Sequence, residues 1–144
     1  MVDGRPYVDA SALVKLVLRE PESDALRAYL VARPDPATSR LAFVEVQRAI
    51  ARVTDQPDAE VLAEIWDRTV FIELAPSLAE SAARIGPRSL RSLDAIHLAS
   101  ALALADELES FITYDLRQAD AARAAGLAVV APAKRGMDPG YPNL

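Results

Sequence analysis

The 144-residue chain has no cysteine, which excludes disulfides, thiol nucleophiles and cysteine-ligated zinc or iron–sulfur sites. Histidine occurs once, at His97, and lysine twice, at Lys15 and Lys134. A site built from several imidazoles is therefore excluded as well. Long apolar runs are also lacking: none approaches the roughly 18 residues of a membrane-spanning helix, and no charged-then-apolar leader opens the chain. A cytoplasmic protein without membrane contact is the expectation. Net positive charge is missing too. With 16 Lys+Arg against 21 Asp+Glu the formal net charge is −5, which argues against coating nucleic acid through bulk charge but permits a local site. Arginine, the dominant basic residue, can grip phosphate bidentately even on an acidic surface.

What is present is a core. Hydrophobic residues make up 51% of the chain and charged residues 26%, the composition of one ordinary globular domain. Short apolar runs alternate with amphipathic stretches. Tyr7-Val8, Val70 to Leu74, Phe111 to Tyr114 and Ala128 to Val130 read as strands, and Ala37 to Ser39 as a very short one. Between them, helices are expected from Ser11 to Leu18, from Ser23 or Asp24 to the Arg33-Pro34-Asp35-Pro36 turn, and from Leu41 to Val53. Others follow from Pro57-Asp58 to Trp66, from Ser77 to Ile85, and from Leu116 to Ala125, the last closed by Gly126 as a left-handed cap. Strands alternating with helices imply α/β architecture: a single three-layer domain, its central sheet mostly parallel and flanked by helices. That domain spans residues 1–132, and a Gly/Pro-rich tail follows over 133–144.

The stretch Leu93-Asp94-Ala95-Ile96-His97-Leu98-Ala99, continuing to Leu104, is apolar nearly all round and reads as a helix in the middle of the core. Asp94 is its anomaly, because a carboxylate near a core costs several kcal/mol unless it is paired, capped or bound to a metal. With Ser92 as N-cap, Asp94 falls in the first turn, where the helix dipole favours an anion. Asp9 and Asp115 each stand where a strand gives way to a helix, and Glu45 lies early in the helix after a candidate strand. In an open parallel sheet those positions face the crevice at the carboxyl ends of the strands. Carboxylates converging there raise one another's pKa, and a hard cation resolves the conflict. Oxygen ligands without cysteine suit Mg²⁺ or Mn²⁺ far better than Zn²⁺, and carboxylates that hold such an ion serve phosphodiester hydrolysis.

Each residue also has a plain structural role available. Asp9 and Asp115 suit turns or caps, Glu45 suits a surface pair with Arg48, Ser11 suits an N-cap, and Thr113 suits a strand. His97 reads as a core histidine meeting a carbonyl or side chain, with metal ligation as the alternative. Trp66 and Phe71 read as packing surface, and Arg88 and Arg91 as phosphate grips or solvated charges.

Four blocks, in order, resemble the PIN-domain family: Tyr7-Val8-Asp9-Ala10-Ser11 through Leu16, Phe43 to Ala49 around Glu45, Leu90 to Ala99 around Asp94, and Phe111-Ile112-Thr113-Tyr114-Asp115. Within that family the chain looks most like the VapC-type toxins of bacterial toxin–antitoxin pairs. The resemblance implies an endoribonuclease that uses Mg²⁺ or Mn²⁺, with Asp9, Glu45, Asp94 and Asp115 at the acidic metal-binding positions and Ser11 and Thr113 as supporting hydroxyls. It further implies a homodimer held inactive by a VapB-like antitoxin. Leu116 departs from the pattern, standing where a basic residue is common. The rivals are a non-catalytic binding module on the same fold, a phosphoacceptor domain and a phosphatase. The last wants Asp-x-Asp, where this chain has Asp9-Ala10-Ser11.

Overall fold

The computed structural model describes residues 4–134, so most of the segment read as a tail lies outside the described residues. Arg5–Val8 form β1, whose Tyr7 and Val8 are fully buried. It is flanked by β2 (Ala37–Ser39) and β4 (Leu108–Ile112), with β3 (Val70–Ile72) and β5 (Val129–Val130) outermost. Every neighbouring pair is parallel, in the order β3-β2-β1-β4-β5. The helices are α1 (Ala10–Val17), α2 (Ser23–Val31), α3 (Arg40–Ala51), α4 (Ala59–Asp67), α5 (Pro76–Arg84), α6 (Ser92–Ala103) and α7 (Leu116–Ala124). None of them is long and apolar enough to cross a membrane.

Strand alternation sorts the core into two faces. Tyr7 and Phe111 are register partners, stacked with centroids 5.2 Å apart, and pack with Leu98 and Ala101 of α6 and Ala119 and Ala122 of α7. Val8 and Ile112, the next pair, join Leu13 and Leu16 of α1, Leu26 of α2, Val46 and Ile50 of α3 and Leu62 of α4 on the opposite face. Helix α5 backs onto α6 through Ala82, Ala95 and Ala99. The expected three layers result. From β1 the chain steps one way to β2 and β3, then crosses to β4 and β5 on the other side. That reversal puts a switch point between the carboxyl ends of β1 and β4. There the Asp9 amide continues the ladder to the Ile112 carbonyl at 3.1 Å.

Several expected boundaries move for identifiable reasons. Asp9, not Ser11, caps α1, and α6 begins at Ser92 with Arg91 in the cap position and no side-chain cap. Glu22 stands at the cap of α2, because the buried Ser23 hydroxyl instead accepts the Glu20 amide at 2.9 Å. Strand β4 starts three residues before Phe111, since the polar Glu109 and Ser110 find partners in Tyr29 and Arg33. Helix α6 is less uniformly sunk than its composition implies, with Leu93 and Leu102 45% and 41% exposed. Gly126 closes α7 at φ +86°: its amide reaches the Arg123 carbonyl and the Leu127 amide reaches the Ala122 carbonyl, the Schellman pattern.

Candidate active site

Asp9 is the most deeply buried carboxylate of the expected set, 4% exposed. Its extended backbone lets Oδ1 accept the Ala12 amide at 3.2 Å as the N-cap of α1. The same oxygen accepts the Ser11 hydroxyl at 2.6 Å, and Oδ2 accepts the Thr113 hydroxyl. Those hydroxyls are themselves anchored. Ser11 Oγ accepts the Tyr114 amide at 3.0 Å and Thr113 Oγ1 the Asp115 amide at 3.1 Å. Two small alcohols thus stitch the start of α1 to the start of α7 around one carboxylate. Burial pushes the Asp9 carboxyl above the usual range, while the hydrogen bonds donated by Ser11, Thr113 and the Ala12 amide pull it back.

Asp115 caps α7, its Oδ1 accepting the Arg117 and Gln118 amides at 2.9 and 3.3 Å. The cap roles of Asp9 and Asp115 are therefore real, and both side chains sit at the carboxyl ends of adjacent strands. Asp94, half-buried in the first turn of α6, is pushed up first by burial and then by the neighbouring Asp115 charge, with Glu45 adding to this and Arg91 opposing it. Gln118 Nε2 holds the Asp94 carbonyl at 3.2 Å, tying α7 to α6.

Glu45 pairs not with Arg48 but with His97, whose Nε2 lies 2.7 Å from Glu45 Oε1. A buried imidazole outcompetes a surface partner one turn away, which contributes only a few tenths of a kcal/mol. His97 is the core histidine the helix suggests, 3% exposed, with Nδ1 2.6 Å from the Tyr7 hydroxyl. Tyr7 reads in sequence only as a buried strand residue. The signal that could have found it is that a buried phenol needs a polar partner. Trp66 packs between Phe43 and Phe71, as expected of packing surface.

Two depressions flank these acids. A groove of about 480 Å³ between α1 and α3 is lined by Ser11, Glu45, Arg48, Arg52 and Leu93. A cleft of about 260 Å³ on the other side is lined by Asp94, Arg91 and Arg117.

The donor set fits a hard divalent cation: it consists of carboxylate oxygens, and its one imidazole is occupied internally. Among the described residues no lysine or arginine reaches ion-pair distance of Asp9, Asp94 or Asp115. Among the described residues no three histidine or acidic side chains stand grouped closely enough to hold a metal ion as they are placed. The fit therefore rests on the kind and charge of the donors: Glu45 paired with His97, Asp94 in the field of Asp115, and the bracketed Asp9.

Comparisons with known proteins place the chain in a family. Ribonuclease VapC47 of Mycobacterium tuberculosis (strain CDC 1551 / Oshkosh) is 40% identical over 130 residues, covering 88% of this chain and 96% of that protein. Ribonuclease VapC46 of strain ATCC 25618 / H37Rv is 42% identical over 129 residues, with the same coverage of 88% and 96%. A toxin–antitoxin complex from Klebsiella pneumoniae superposes with a TM-score of 0.66 at 22% identity, covering 88% of this chain and 97% of that one, a likeness of fold. The PIN domain family model matches residues 7–124, from the tyrosine of β1 to the last residue of α7, and the chain belongs to the PIN domain family.

Proposed function

We propose that this chain is a metal-dependent endoribonuclease acting as the toxin of a toxin–antitoxin pair, with Asp9, Glu45, Asp94 and Asp115 as its catalytic carboxylates. What supports the reading is that Asp9 and Asp115 follow the adjacent strands β1 and β4 at the switch point and that Asp94 lies in the field of Asp115 and Glu45, in a chain about 40% identical to proteins named as ribonucleases. Structural need alone gives like charges no reason to gather. The oxygen donors select Mg²⁺, with Mn²⁺ as substitute. When bound, such an ion activates water and steadies charge on the leaving oxygen of a phosphodiester.

The chain's own residues do the rest. Ser11, Thr113 and the Ala12 amide hold the Asp9 carboxylate in one orientation. Asp94 and Asp115 add negative charge in each other's field, and Arg91 and Arg117 offer guanidinium groups to substrate phosphates along the cleft beside Asp94. Grooves of this size suit single-stranded or looped RNA, whose bases and backbone are open to contact. The solved toxin–antitoxin complex of the same fold supports a cognate VapB-like antitoxin as partner. The resemblance to VapC-type toxins adds a homodimer working in the cytoplasm.

The test is cleavage of a mixed structured-RNA pool by the purified chain, freed of copurifying partner, in Mg²⁺ or Mn²⁺ against EDTA, with Asp94→Asn alongside. Cleavage that requires the ion and disappears in the variant is expected. Cleavage that persists in EDTA or in Asp94→Asn rejects the reading.

A further inference from the structure

The Tyr7–His97 pair is buried beside the acidic edge and has no task in the chemistry above. Its hydrogen-bond bookkeeping is directional. The Ser39 amide, an obligatory donor, gives its proton to the Tyr7 hydroxyl oxygen at 3.0 Å. Thr38 and Ser100, both close enough to influence that phenol, give their own protons to the Val8 carbonyl at 2.6 Å and the Ile96 carbonyl at 2.7 Å, so neither donates to it. With that oxygen already accepting from Ser39, the phenol's own proton can be given to His97 Nδ1, 2.6 Å away. A ring that accepts at Nδ1 carries its own proton on Nε2, and that nitrogen faces Glu45 Oε1 at 2.7 Å.

We propose that His97 is a positioning residue: Tyr7, anchored on β1 and oriented by the Ser39 amide, holds the ring as its Nε2–H tautomer, so that it donates to Oε1 of Glu45 and leaves Oε2 to act at the site. The chain of donors runs from β2 through β1 and α6 to α3, so the sheet itself sets where the α3 carboxylate points. Edge-on packing of His97 against Tyr7, with centroids 5.8 Å apart and planes at 78°, keeps the ring from turning. Partners that orient a ligand in this way change metal affinity or activity about 10- to 100-fold when removed. The inference rests on Glu45 being a cation-binding carboxylate.

Because His97 is the only histidine in the chain, ¹⁵N-imidazole NMR of the intact labelled protein reads its tautomer without assignment. A protonated Nε2 with an acceptor-type Nδ1, lost or mixed in Tyr7→Phe, is the expected result. A proton on Nδ1, or on both nitrogens at neutral and mildly alkaline pH, overturns the proposal. Calorimetric Mn²⁺ titration gives the second readout. His97→Asn, whose amide reaches only as far as Nδ1, is expected to weaken Mn²⁺ binding about 10-fold. His97→Gln, whose amide nitrogen reaches as far as Nε2, is expected to restore most of it, and His97→Asn is expected to add nothing in a Glu45→Gln background. Equal loss in the Asn and Gln variants, or full additivity with Glu45→Gln, reduces His97 to a packing residue and overturns the proposal. Unchanged Mn²⁺ binding in Glu45→Gln alone instead rejects the assignment of Glu45, a separate failure.

Discussion

Thr113→Val tests the bracket around Asp9 most sharply. Valine has the shape of threonine and suits a fully buried position after a strand, so packing is conserved and only the hydroxyl is lost. That hydroxyl donates to Asp9 Oδ2 and accepts the Asp115 amide at 3.1 Å. A hydrogen bond to a charged group contributes about 1.5–3 kcal/mol, and a buried group left without its partner costs about 1–3 kcal/mol. A loss of about 2–4 kcal/mol is expected at neutral pH in chelator, or roughly 3–5 °C in Tm per kcal/mol for a chain of this length. Ser11→Ala is the internal comparison. It removes the 2.6 Å bond to Oδ1 and the acceptor of the Tyr114 amide at 3.0 Å, but Oδ1 keeps the Ala12 amide and Ser11 is only half-buried, so a smaller loss of about 1–2 kcal/mol is expected.

The pH dependence carries the sign. Burial raises the Asp9 carboxyl in the folded state, so the native chain binds this proton more tightly than the unfolded one, and Asp9 makes stability fall as pH rises through its folded value. Thr113 donates to the ionised form, so its removal raises that carboxyl further. The penalty in Thr113→Val should be largest at neutral pH and shrink as pH drops towards the ordinary aspartate range near about 3.9. Chemical denaturation of both proteins across that window measures it. A penalty below about 1 kcal/mol at neutral pH, or one that does not change with pH, refutes the account of Asp9 as a buried carboxylate held by alcohol donors.

Two further substitutions separate local structure from chemistry. Asp115→Asn keeps a good N-cap for α7, so stability should change by less than about 0.5 kcal/mol while RNA cleavage is lost; melting and cleavage measured on the same sample decide, and retained cleavage leaves Asp115 a cap only. Gly126→Ala meets no atom within 4 Å of the new Cβ, yet φ +86° disfavours any side chain, so a loss of about 1 kcal/mol by urea denaturation is expected without any change in RNA cleavage.

Much of this was legible in the chain because its punctuation is local. Asp9 and Asp115 each end an apolar run and begin a helix, and the order of elements follows from period and breakers alone. What escaped was set by partners remote in sequence. Glu109 and Ser110 look too polar for a strand until Tyr29 and Arg33, some 80 residues earlier, satisfy them. Ser11 is a reasonable cap by residue type, but its hydroxyl is spent on Asp9 and on the Tyr114 amide 103 residues away. The partner of Glu45 was misplaced for the same reason: His97 is 52 residues distant, while Arg48 is merely near in sequence. Tyr7 hid its role because, in a run of apolar residues, a phenol looks like one more ring.

The pairing of β1 with β4 also orders events in time. Asp9 is made before Thr113, which holds it from 104 positions further along, and β4 must find its slot beside a strand that has waited for it. Closing so long a loop is entropically slow and has no partial reward. On the ribosome, the amino-terminal half carries only Asp9 and Glu45, with neither Thr113 nor His97 yet synthesised to orient them. Any fragment that ends before β4 therefore lacks an assembled acidic edge, and the chain stays an inert precursor until β4 has been made.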